Sequence, residues 1–96
     1  MIQIYFDPFV KDSEEDTFRK IFEELYEVTD ARTLNDCTQI APLNDDVKYK
    51  SKKRLETEIG DLLTAILNWA IRRGYDPQEC IDLAQTKNEI RGYYDV

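Results

Sequence analysis

The chain contains no histidine. That absence excludes Ser-His-Asp and Cys-His nucleophiles, and the Glu-x-x-His pairs that hold di-iron in helical bundles. The two cysteines, Cys37 and Cys80, are too few for a structural zinc site without histidine, and their spacing is neither a metal nor a redox motif. They read as reduced thiols acting as small hydrophobes. No apolar run approaches the roughly 18 residues a membrane span needs. The start, "MIQIYFDPFVKD", has neither the basic stretch nor the long apolar run of a signal peptide, so a cytoplasmic location is expected. Basic residues are in deficit, 13 against 20 acidic ones, for a net charge of -7. This argues against nucleic acid or an anionic membrane as the main partner.

What is present is one domain's worth of chain. Its 96 residues are 42% hydrophobic and 34% charged, which fits a folded helical domain rather than a disordered one. Any enzymatic chemistry must run on carboxylates, amines, hydroxyls or a hard metal ion.

Residues 1–12 alternate weakly (Ile2, Ile4, Phe6) before Pro8 and read as an extended arm, leaving 13–96 as the domain. Ser13 can cap a helix whose first turn holds Glu14, Glu15 and Asp16, where the helix dipole favours acids. Phe18, Ile21, Phe22, Leu25 and Val28 then recur at helical spacing, predicting a helix over 14–30. The polar stretch "ARTLNDCTQIAPLNDD" predicts a loop over 31–46, with room for one short helical turn. A wide apolar stripe from Leu55 to Ile71 predicts a second helix over 47–73, stopped by Gly74. "DPQE" at 76–79 opens a third, running to about Arg91: Asp caps, Pro suits the first position and Glu the third. The expected fold is all-α, a compact bundle of three main helices. The stripe on the second helix is too wide for three helices to bury. Homo-oligomerisation into a four-helix-type core, with that helix against a partner, is expected over a self-sufficient monomer.

Two acid pairs sit beside the apolar stripes. On the first helix Glu24 lies just off the arc of Phe18, Phe22 and Leu25, with Glu27 next to it and Glu23 on the other side. On the second, Glu58 and Asp61 lie along one edge, and Ala65 and Asn68 continue that flank. Acids on helices are usually solvated faces. If these two flanks meet, however, four carboxylates converge in a half-buried groove. Like charges resist that, so their pKa values rise or a cation enters. All-oxygen ligation from rigid helices suits Mg²⁺ or Mn²⁺.

A second polar group closes the chain. Lys87 and Arg91 are four apart, Asn88 lies beside them, and Tyr93 and Tyr94 follow. Such a set can bind phosphate oxygens and a base, or merely offset a helix dipole. The tract "KYKSKKR" at 48–54 either steers an anion toward the groove or is a solvated helix start.

These residues together resemble the MazG-like nucleoside triphosphate pyrophosphohydrolases, of the all-α NTP pyrophosphatase superfamily. The first acid motif is Glu23-Glu24-x-x-Glu27 and the second Glu58-x-x-Asp61. The stretch "EIGDLLTAILNWAIRRGYDPQECIDLAQTKNEIRGYY" is similar to the family's second half throughout. Two features depart from the family. Thirty residues separate Glu27 from Glu58, slightly more than usual, and "MIQIYFDPFVKD" stands where an additional helix is common. The resemblance implies Mg²⁺-dependent hydrolysis of (deoxy)nucleoside triphosphates between the α and β phosphates, releasing a monophosphate and pyrophosphate, as nucleotide-pool house-cleaning. It implies Glu24, Glu27, Glu58 and Asp61 as metal ligands, and Glu24 or Glu23 as the group that orients or deprotonates water. It further implies Lys87, Asn88, Arg91 and Tyr94 as substrate contacts, with Asn68 added from its place on the acid flank. The assembly expected is a homodimer or a dimer of dimers. The alternative is a non-catalytic helical dimerisation module on the same scaffold.

Overall fold

The computed structural model describes residues 13–40 and 44–92, which form three α-helices and no strand. The arm at 1–12 and Tyr94 lie outside the described residues. Helix α1 spans Glu14–Ile40, α2 spans Asp45–Arg72 and α3 spans Pro77–Ile90. None of them is long and apolar enough to cross a membrane.

The helix ends follow the local chemistry. Ser13 Oγ accepts the Asp16 amide at 3.1 Å and caps α1. Asn44 Oδ1 accepts the Val47 amide at 2.9 Å, so the Asn-Asp-Asp cluster opens α2. Asp76 Oδ1 accepts the Gln78 amide at 2.9 Å, with Pro77 at the first position of α3. At the end of α2, Gly74 takes φ +94°, the Gly74 amide bonds Ile71 O and the Tyr75 amide bonds Ala70 O. That double bond is a Schellman stop, and it needs the left-handed residue glycine supplies.

The expected loop over 31–46 is corrected. Helix α1 does not end at residue 30 but continues through Ile40. The reason lies in what faces α2. Thr17, Glu24, Ala31 and Thr38 fall seven apart on one line of α1. Thr17, Ala31 and Thr38 are buried there, and Glu24's side chain is only 12% exposed. Along α2 the matching positions are Ser51 and Ala65, both buried, and Glu58 between them, half-buried. The two helices form an antiparallel hairpin along a seam of small and polar side chains, a heptad-like repeat.

Hydrogen bonds fix the hairpin's register at both ends. At one, Thr38 Oγ1 donates to Ser51 Oγ at 2.8 Å and Gln39 Nε2 donates to Lys48 O at 3.1 Å. At the other, Glu14 Oε1 accepts from Trp69 Nε1 at 2.9 Å and from Arg73 at 3.1 Å. Phe18 packs on Trp69 there, ring centroids 5.1 Å apart.

Larger apolar residues flank this seam: Ile21 and Val28 on α1, and Leu55, Leu62 and Trp69 on α2, are half-buried. Among the described residues the buried hydrophobic side chains are Ala31, Ala65 and Ala70, and no large side chain is fully buried. Helix α3 touches only α2, and lightly. The radius of gyration is 16.5 Å, against about 12 Å for a compact domain of this length. Cys37 and Cys80 are free, as their spacing suggested, but both are exposed rather than part of a core.

Candidate metal and phosphate site

One side of the hairpin carries a groove of about 230 Å³. From α1 it is lined by Thr17, Lys20 and Glu24, and from α2 by Asp61, Thr64, Ala65 and Asn68. The helical pitch explains the set. Lys20, Asp61 and Asn68 each follow a seam residue (Thr17, Glu58, Ala65) by three, a turn of about 60° short of a full revolution, so all point to the same side.

Carboxylate oxygens of Glu24, Glu58 and Asp61 lie within 4.8 Å of one another. Glu24 is the most enclosed, Glu58 half-buried and Asp61 exposed. Glu58 stands just outside the groove's lining, one turn before Asp61. The Lys20 ammonium reaches Glu24 at 3.1 Å and Glu23 at 3.4 Å. The Glu24 hydrogen bond and charge, with those of Glu23 behind them, raise the Lys20 ammonium above its ordinary pKa. It stays protonated throughout the neutral range.

Three carboxylates from two rigid helices, all oxygen donors, form a fitting set for a hard divalent cation. Sulfur and imidazole are absent from the cluster, which disfavours softer ions.

The sequence-predicted residues divide. Glu24, Glu58 and Asp61 are brought together, and Asn68 lies buried in the same groove. Glu27, expected as a fourth member, is exposed and outside the group of three. Glu23 is exposed and meets the site only through Lys20. Lys87, Asn88 and Arg91 belong to the end of α3 and do not line the groove. The basic tract at 48–54 occupies the first turns of α2, at the far end of the hairpin, where Lys50 pairs with Asp46 and Lys53 with Glu56. Lys20 itself was missed. The available signal was its place four residues before Glu24, on the same helix face.

No protein-family model matches the chain, nor does any curated protein or solved structure.

Proposed function

We propose that the chain is a Mg²⁺-dependent nucleoside triphosphate pyrophosphohydrolase that works as a homo-oligomer. The observation carrying this is the triad Glu24, Glu58 and Asp61, drawn from two helices to within 4.8 Å at the edge of a groove of about 230 Å³. The likeness of both acid motifs to the MazG-like family supports the same reading.

In this reading Glu24, Glu58 and Asp61 would hold Mg²⁺, or Mn²⁺ in its place, and Glu27, which stands outside that group of three, would join them only by turning its side chain toward the ion. The ion would neutralise the phosphates, polarise the phosphoryl group and lower the pKa of water. Without it, a triphosphate would be repelled by the acids. Glu24, or Glu23 one residue earlier, would orient the attacking water or take its proton. Lys20, already in the groove, suits a phosphate oxygen. Asn68 would contact sugar or base from the groove wall. Lys87, Asn88, Arg91 and Tyr94 would reach the substrate from a neighbouring subunit, since α3 stands away from the groove of its own chain.

That placement of Lys87 and Arg91 is also what favours the second reading, a non-catalytic dimerisation module on the same scaffold. Pyrophosphate release from a panel of NTPs and dNTPs with Mg²⁺, comparing the native chain with Glu58→Ala, separates the two. The enzyme gives metal-dependent release that falls at least about 100-fold in the variant, as loss of an essential electrostatic group does. Glu58→Ala should stay folded, because it relieves repulsion among like charges. No release from any nucleotide by the folded chain sinks the enzymatic reading.

A further inference from the structure

The side of the hairpin opposite the groove is apolar. Phe18 and Leu25 each follow a seam residue by one position, as do Ile59 and Ile66 on α2, and Phe22 and Leu63 complete the two rows. A step of one residue turns each row about 100° in the same sense. In an antiparallel pair, equal turns put both rows on one face. The groove residues, turned the opposite way, lie on the other. Phe18 and Phe22 meet edge to face at 5.3 Å within this surface. The six side chains are between 41% and 59% exposed. At roughly 200 Å² for a large side chain, that leaves about 600 Å² of apolar surface, at the upper end of what monomers show.

Residues 1–12 join α1 at Ser13, five residues before Phe18. They hold seven large apolar side chains between Met1 and Val10, and no charged side chain before Asp7. In a chain that is 34% charged, an uncharged stretch of six residues and an uncharged double row are matched in chemistry. Their dimensions match as well. Ser13 to Leu25 is about 18 Å along α1, and twelve extended residues reach about 40 Å, so the segment can double back and still run the length of both rows. Ile2, Ile4 and Phe6 alternate, and an extended chain presents alternate residues on one side. From Ile2 to Phe6 that side covers about 13 Å, against about 10 Å from Phe18 to Leu25. Pro8 lies between this run and α1, where proline suits a change of chain direction. We infer that residues 1–12 fold back over the double row, with Ile2, Ile4 and Phe6 set between α1 and α2, and so supply the core that three buried alanines do not.

The tether decides the occupant. A segment held this close meets the face at a millimolar effective concentration, so a separate chain at micromolar concentration must bind about a thousandfold more tightly to displace it. Helix α3, with Leu83 and Ile90 exposed, remains for contacts between subunits. The inference does not rest on the catalytic reading, and none of its readouts is an activity.

The test is methyl NMR of the full chain. Nuclear Overhauser contacts should join the methyl groups of Ile2 and Ile4 to those of Leu63 and Ile66. An isotope-filtered spectrum of mixed labelled and unlabelled chains should lack them, because they arise within one chain. Phe6→Asp, and the milder Ile4→Ala, should shift the Leu63 and Ile66 methyl signals and leave those of Leu83, on α3, in place. Absence of any contact between residues 1–12 and the double row overturns the inference. Contacts that appear only between chains overturn it too and give the face to a second copy. So do Leu63 and Ile66 signals that neither variant moves.

Discussion

Lys20 stands where the acid cluster wants a cation, 3.1 Å from Glu24. A divalent ion entering the cluster meets both the attraction of three carboxylates and the repulsion of this ammonium. Removing the ammonium while keeping the aliphatic stem should therefore tighten metal binding. We expect Lys20→Met to lower the Mg²⁺ dissociation constant about threefold to tenfold, an effect of about 1 kcal/mol for a screened, half-exposed charge. Isothermal titration of the two proteins measures it, and equal constants would remove Lys20 from the site. Glu14 makes a different residue-scale prediction. The Trp69 indole N–H, and then the Arg73 guanidinium, hold its carboxyl below the usual carboxylate range. A depressed folded pKa means the tie contributes stability above the unfolded pKa and loses it as pH falls through the folded one. The chain's single tryptophan is the donor, so its emission reports the event. The native chain should show an acid transition in Trp69 fluorescence that Glu14→Gln lacks. At this scale the sequence was partly legible. The pair Glu58 and Asp61 could be placed beside Asn68 by helical pitch alone. That Glu24 lies in the seam while Glu27 faces water depended on which line of α1 meets α2, and large apolar residues pointed to a different line.

That choice of line governs the elements. Apolar spacing made Phe18, Phe22 and Leu25 look like the packing face of α1, and the polar run after residue 30 look like a loop. Helix α1 instead packs through Thr17, Glu24, Ala31 and Thr38, a repeat of seven that holds no large hydrophobe. A polar seam of this kind resembles a solvated face in one dimension and emerges only once two helices are set side by side. The ends of α2 and α3 were easier, because Gly74, Asp76 and Pro77 act through their own backbone and side-chain geometry and need no tertiary partner. The seam depends on small residues for close approach. Ala31 is 1% exposed at its centre, with no room for a longer side chain. Ala31→Leu should force the helices apart and cost about 1–3 kcal/mol despite leucine's good helix propensity. Urea unfolding followed by circular dichroism checks this, and an unchanged midpoint would mean that the hairpin is not packed along this line.

At the scale of the whole molecule the hairpin has two unlike faces, one acidic and grooved, the other apolar. The expected all-α architecture of three helices holds among the described residues, and Phe18, Phe22, Leu25, Ile59, Leu63 and Ile66 remain exposed in it. The acidic face makes the final prediction. A cation that binds the native cluster but not the unfolded chain raises stability by RT ln(1 + [L]/Kd), about 1.4 kcal/mol at ten times the dissociation constant. For a domain of this length that is a rise of about 5–10 °C in Tm. Net charge of -7 complicates the measurement, because any salt relieves self-repulsion and stabilises the fold. The comparison must therefore be made against NaCl at matched ionic strength and against Glu58→Ala in the same buffers. A specific site gives a rise with Mg²⁺ that NaCl does not reproduce and that Glu58→Ala abolishes. A rise that NaCl matches, or that persists in the variant, would mean the ion is screening a charged surface, and Glu24, Glu58 and Asp61 would then be neighbours without a ligand in common.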